Sequence, residues 1–422
     1  MEYGQILWDD GLIAEAFKYS NENKDSIPVE TSLYDFFQER VAKMFQDLPT
    51  EQADKKRKAL LNVASMWGAY VGSPVTRQSL RFYWLEECIE GENPFVAETY
   101  HKILDEVAKV ARGKGRVLLS HKVNGITSRQ GPDSRPSITT TDGKPEEFDE
   151  VVVTTPLGWL KRNKSAFKPS LEPRLEKAID SIGYGCLDKV YITFPSAFWE
   201  SGSKLSTLST SQSTQGLDSK GSTPNVTATT APLHQPSSND ASSNYPGFTH
   251  WLSPAYSPDT NPSHWDQQGM NMAALPGSTA HPTILFYIYG PCSQHIASLL
   301  TSHPASEHDA LLLAFFKPYY SLLPNYSADD PSCKPSAVLA TAWANDEFAG
   351  YGSYSNFQIG LEEGDKDIEA IRHGMPEKGI WFAGEHTAPF VALGTTTGAY
   401  WSGEGVAYRI LERYGKKGSE AQ

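Results

Sequence analysis

The chain has 422 residues, 39% of them hydrophobic and 21% charged, and carries a formal net charge of −13. That length suits two packed domains, and the acidic balance argues against nucleic acid as a general partner, because phosphate binding needs a positive field. No run of apolar residues reaches the length of a membrane span, and the opening MEYGQILWDDGLIAEAF has neither a basic start nor an unbroken apolar stretch, so neither a membrane partner nor export is expected.

From the N-terminus, the spacing predicts a helix capped by Ser32, with Leu33, Phe36, Phe37, Val41, Met44 and Phe45 at three- and four-residue intervals and Pro49 just past its end. A second amphipathic run covers 58–70. A third, 100–111, places Ile103, Leu104, Val107 and Val110 on one face. The texture then changes to short strands expected over 117–120, 137–141, 150–155, 189–194 and 283–289, each bounded by Gly, Pro or Asp. On the fourth of these, Lys189, Tyr191 and Thr193 alternate with Val190, Ile192 and Phe194, and alternation alone reads the first set as a solvated face. Residues 201–245 are rich in Ser, Thr, Gln and Asn and hold few large apolar side chains, so they are expected to be a disordered insertion within one domain. Cys88, Cys186, Cys292 and Cys333 lie far apart without a CxxC pair, which speaks against a zinc ribbon or a disulfide framework. With no HExxH and no ligand-spaced histidines, no metal is expected. The ending GSEAQ carries no peroxisomal or retention address, and the expected location is the cytoplasm.

The last segment is the most informative. GIWFAGEH at 379–386 reads as a buried strand ending on small residues and a carboxylate, and TTTGAYWSGEGVAYRIL at 395–411 as a helix opened by Thr and by small residues. Such a helix start offers unpaired N–H groups and the positive end of a dipole, where a phosphate or an electron-rich ring edge could sit. Close packing of helix on sheet accounts for the same residues, and the pattern alone leaves both readings open.

FAGEHT at 382–387 followed by TTTGAYWSG at 395–403 resembles the C-terminal flavin motif of the flavin-containing amine oxidases, especially polyamine oxidases and lysine-specific histone demethylases. DEVVVTTPLGWLK at 149–161, SIGYGCLDKVYITFPSAFW at 181–199 and TAWANDEFAGYGSYSNF at 341–357 recur in the family's order, with a helical FYWLEE at 82–87. The resemblance implies an α+β or α/β fold of two domains, an incomplete Rossmann-like domain for FAD and a substrate domain of mixed sheet and helices. Residues 1–112 would be the helical part of the substrate domain and 113–167 part of the FAD domain. Residues 168–342 would return to the substrate domain, and 343–422 complete the FAD side. Position by position, Lys189 resembles the active-site lysine that holds a water near the flavin. Tyr354 resembles the aromatic flanking the substrate amine, and Thr395 falls where other members carry a second aromatic or a threonine. Trp343, Gly384, Glu385 and Thr396 resemble cofactor contacts, as do Val123 and Thr155. Glu86 and Glu87 are candidate partners for a distal substrate ammonium, or simply solvated carboxylates.

The resemblance has one gap. A strand followed by GxGxxG and a helix should hold the pyrophosphate, yet Gly183-Tyr-Gly185 is followed by Asp188, and Gly113-Lys-Gly115 by Leu118. The family's Gly-Gly-Tyr before the third helix reads AETY at 97–100. The chain is therefore expected to start after the nucleotide loop, which leaves FAD binding in doubt. The implied activity is oxidation of a polyamine-like amine by oxygen, giving an aldehyde and hydrogen peroxide. The alternatives are a non-catalytic remnant and a histone lysine demethylase.

Overall fold

A computed structural model describes residues 2–7, 11–87, 89, 96, 99–200 and 245–416. The N-terminal third is helical. Helices α1 (Glu2–Leu7), α2 (Leu12–Asn23), α3 (Leu33–Ala42), α4 (Thr50–Ala64) and the short α5 (Gly68–Val71) pack around Leu33, Phe37, Leu60 and Tyr83. The Ser32 signal works as expected. Its hydroxyl accepts from the Asp35 N–H while the Asp35 carboxylate accepts from the Ser32 N–H, closing a capping box. The expected run 58–70 is in fact α4, which starts at Thr50, followed by a 3₁₀ turn and α5.

Helix α6 (His101–Lys114) forms where the third apolar stripe lies, but no residue of it is buried, and Ile103, Leu104, Val107 and Val110 are exposed. The strand expected over 117–120 does not form. Val117, Leu118 and Leu119 lie exposed in a loop, with no strand among the described residues to pair with them.

Next comes a sheet ordered β3-β2-β1-β5, built from β1 (Val123–Thr127), β2 (Ser137–Thr140), β3 (Pro145–Glu147) and β5 (Phe167–Lys168). Strand β4 (Val151–Val153) leaves it to pair in parallel with a strand more than two hundred residues later. Helices α7 (Leu157–Arg162) and α8 (Pro173–Ser181) then cover Ile126, Val153 and Phe167.

After β6 (Gly183–Tyr184), strand β7 (Leu187–Thr193) enters a five-stranded sheet ordered β11-β7-β10-β9-β8. Its members are β8 (Phe248–Trp251), β9 (Gln267–Asn271), β10 (Thr283–Tyr289) and β11 (Ala337–Ala340). Asp188, Val190 and Ile192 are buried beneath α9 (Gly290–Ser302) and α10 (Ala305–Tyr320), with Phe286, Phe316 and Tyr319 filling the layer. The other face of β7 carries Leu187, Lys189, Tyr191 and Thr193, which are half-buried, and of the three read as solvated Lys189 lines a cavity.

The chain closes with β12 (Ser355–Asn356) against β6, α11 (Gly364–His373), β13 (Ile380–Phe382) beside β4, and α12 (Thr396–Arg413). Apart from Tyr245, the expected insertion 201–245 lies outside the described residues, as does Cys88. Cys186, Cys292 and Cys333 are free thiols. No helix among the described residues is long and apolar enough to cross a membrane.

Candidate functional site

The ends of β4, β6, β7 and β13 converge on a cavity of about 440 Å³. Thr155 enters from the loop after β4, Lys189 from β7, Trp343 and Tyr354 from the loop between β11 and β12, and Gly384 and Glu385 from the turn after β13. Six of the residues singled out in the sequence are thus brought together.

Each is held by a local cause. Gly384 has φ +150°, and a side chain there would collide with the His386 ring, so the turn needs glycine. Its N–H donates to Ser402 Oγ at 2.8 Å, tying β13 to α12. A Cβ on Gly398 would run into the Ala392 carbonyl, so the helix start packs hard against its own lead-in. Trp343 is fixed from behind by Asp188, whose carboxylate accepts from the Trp343 N–H at 2.8 Å, Thr341 Oγ1 at 2.7 Å and Ser293 Oγ at 2.7 Å. Lys189 Nζ sits 5.2 Å from the centre of the Tyr287 ring, within cation–π range. The Tyr354 hydroxyl donates to the Tyr70 carbonyl, which anchors its ring across the cleft.

The polar inventory of the cavity is unbalanced. Thr155 Oγ1, Ser353 Oγ and both ring nitrogens of His386 are buried without a hydrogen-bond partner, and all three residues line this one cavity. Orphaned groups cost free energy unless a ligand completes them. Burial holds the His386 imidazole down at about 4, so the ring is neutral near pH 7. Glu385 accepts from Ser355 N–H at 3.0 Å and Ser355 Oγ at 2.6 Å. Burial still raises its carboxyl, against those bonds and one from the Gly394 backbone.

The remaining candidates fall elsewhere. Thr395 is the N-cap of α12, its hydroxyl donating to Ala392 O at 2.7 Å and accepting from Gly398 N–H at 2.9 Å. Thr396 is the first helical residue; neither threonine lines the cavity, whereas Ala399 does. Val123 lines a neighbouring cavity of about 350 Å³, which shares Thr154, Thr155 and Pro156 with the first. Glu86 accepts from Phe357 N–H at 3.3 Å, and its carboxyl is pushed up to about 8, by burial first and by Glu385 in addition. Glu87 is exposed. Neither carboxylate is among the residues lining these cavities.

Sequence reading assigned nothing to Ser353 and His386, although both lie inside quoted motifs, nor to Tyr70, Gln268 and Tyr287. No local pattern marks the last three. They reach the cleft through strand register and long-range packing.

The family model for flavin containing amine oxidoreductases matches residues 36–411. Polyamine oxidase 3 of Oryza sativa subsp. japonica is 24% identical over 341 residues, which is 80% of this chain and 54% of that protein. Lysine-specific histone demethylase 1B of Mus musculus is 42% identical over 64 residues, 15% of this chain and 8% of its own. Among solved structures, cyclohexylamine oxidase from Brevibacterium oxydans IH-35A matches with a TM-score of 0.57 at 16% identity, covering 96% of this chain and 75% of that one. A putrescine oxidase redesigned for cofactor binding gives a TM-score of 0.55 at 13% identity, with coverages of 95% and 75%. The chain spans about half the length of the curated polyamine oxidases it matches.

Proposed function

The chain belongs to the flavin-containing amine oxidoreductase family, the match covering residues 36–411, and from that premise we propose that it oxidises a small-molecule amine with FAD and oxygen. The observation that carries this reading is the convergence of three orphaned polar side chains, Thr155, Ser353 and His386, with Lys189, Trp343, Tyr354 and Glu385 around one cavity. These residues fit the ring end of a flavin. Thr155, Ser353 and His386 would complete their hydrogen bonds on its polar edge or side chain, and Glu385 offers an acceptor for a hydroxyl. A bound flavin supplies the hydride acceptor and, with oxygen, the route to hydrogen peroxide.

The protein groups account for the rest. Tyr354 and Trp343 wall the approach. The Lys189 ammonium, held over the Tyr287 ring, disfavours a second positive charge beside it, so an amine enters in its neutral, oxidisable form. The same ammonium orients a water for hydrolysis of the imine. The second reading is a remnant of the family without redox chemistry. Titrating the purified chain with FAD decides between them. Flavin absorbance that stays with the protein through gel filtration, and peroxide on adding an amine, is the expected result. Flavin that elutes wholly free overturns it.

A further inference from the structure

Asp188 carries a carboxylate into the apolar layer beneath α9 and is fully buried there. Hydrogen bonds satisfy both of its oxygens. Oδ1 accepts from the Thr341 hydroxyl at 2.7 Å and from the Trp343 N–H at 2.8 Å, and Oδ2 accepts from the Ser293 hydroxyl in the first turn of α9 at 2.7 Å. A buried charge needs such donors, and charge-assisted bonds of this kind are the strong ones.

The shared oxygen matters because of where the sheet stops. Strand β11 pairs with β7 as far as Ala340 opposite Val190. Thr341 makes the last link, its N–H donating to the Lys189 carbonyl at 2.9 Å and its hydroxyl accepting from the Lys189 N–H at 2.9 Å. With Tyr287 of β10 paired on its other side, Lys189 is fixed by the sheet itself. Trp343 has no such ladder. It stands two residues past Thr341, opens a short 3₁₀ turn and is 45% exposed, so little packing holds it. Hydrogen bonds tie that turn to what lies behind it, from the Trp343 N–H to Asp188 and from the Asn345 amide to Thr301 Oγ1 at 2.8 Å.

We propose that Asp188 is a positioning residue: its Oδ1 roots the Trp343 ring relative to Lys189 and so sets the width of the cavity that both line. What that gap admits, an amine, rests on the oxidase reading. The anchor works through geometry and not through charge. An asparagine carbonyl oxygen can accept from both donors that Oδ1 serves, while the Ser293 hydroxyl turns to accept from the new amide. A glutamate keeps the charge but carries its oxygens one bond further along, so the Trp343 N–H must move to follow.

Fluorine NMR of protein labelled with 5-fluorotryptophan tests this without flavin, the Trp343 resonance being assigned by its loss in Trp343→Phe. The expected result is a Trp343 resonance that stays in place in Asp188→Asn and shifts or splits in Asp188→Glu and Asp188→Ala. Ser293→Ala controls for stability: it should lower the urea midpoint and leave the resonance alone. A resonance unmoved by Asp188→Glu or by Asp188→Ala, or moved as far by Asp188→Asn or Ser293→Ala, overturns the proposal. In protein loaded with FAD, kcat/KM for an amine should fall about tenfold in Asp188→Glu and stay within about threefold of native in Asp188→Asn. Equal losses in the two variants also overturn it. Failure to take up flavin sinks the oxidase reading alone and leaves the resonance to decide.

Discussion

At the scale of single residues, His386 and Glu86 set opposite limits on stability. The His386 ring is held near 4 by burial, so the fold loses stability as pH falls from the ordinary histidine range toward 4, where the unfolded chain binds the extra proton. Glu86 is raised to about 8, so its contribution is full below about 4.5 and is lost as pH rises toward 8, where the unfolded chain has already released its proton. Urea midpoints between pH 4 and 8 should thus peak in between. His386→Leu should flatten the acid limb and Glu86→Gln the alkaline one; a profile unchanged by either variant refutes the assignment. His386→Leu should also leave the flavin-free protein as stable as before or slightly more so, since it removes two unpaired polar atoms. Affinity for FAD, read by quenching of flavin fluorescence, should fall about threefold to tenfold, the worth of one hydrogen bond. Lys189 and Tyr354 were legible in the sequence because their surrounding motifs are long and specific. Gln268 and Tyr287 were not, because a residue's cross-strand neighbour is fixed by register, which no single segment encodes.

At the scale of elements, helix periodicity says which face asks for burial and is silent on what will cover it. The capping box at Ser32 and the stripe of α3 were both readable, and their apolar face meets α4 in the core. The stripe of α6 was equally readable, yet Val107 and Val110 remain 53% and 66% exposed. Hydrophobic side chains in that state contribute little to folding, and Val107→Glu with Val110→Glu should change the urea unfolding free energy by less than about 0.5 kcal/mol. The same double variant should weaken binding of the dye ANS, which reports exposed apolar surface. A large loss of stability would mean that the face is covered. The strand expected at 117–120 failed for a related reason. Three apolar residues in a row satisfy the composition of a strand, but a strand also needs a neighbour for its N–H and C=O groups.

At the scale of the molecule, the described residues form three large apolar cores, one under the N-terminal helices, one joining β4 and β13 to α8 and α11, and one between the five-stranded sheet and α10, besides a small cluster of Trp381, Ala383 and Val406. Thr155 and Glu385 follow β4 and β13, strands of the second core, and Lys189 lies on β7, a strand of the third, so a ligand seated in the cavity bridges both. If FAD binds there, it should stabilise the chain by mass action, by about 2.7 kcal/mol at a hundredfold excess over its dissociation constant. Thermal unfolding that does not move with added FAD would speak for the non-catalytic reading. This joining of cores was only partly visible in the sequence. The resemblance assigned 113–167 and 343–422 to one domain, but the parallel pairing of β4 with β13, across more than two hundred residues, was not expected, because no local signal encodes it.

Strand β7 turns Asp188 inward and Lys189 toward the cleft, one residue apart. Its tolerance of genetic change is therefore lopsided. A missense codon at 189 costs one side chain and leaves the sheet in register. An in-frame gain or loss of a single codon upstream of 188, within the strand, exchanges the two faces for every residue beyond it. Lysine would enter the layer above α10, and aspartate would replace it in the cleft. In a library of random variants, folded clones should carry substitutions across 187–193 but no length changes there.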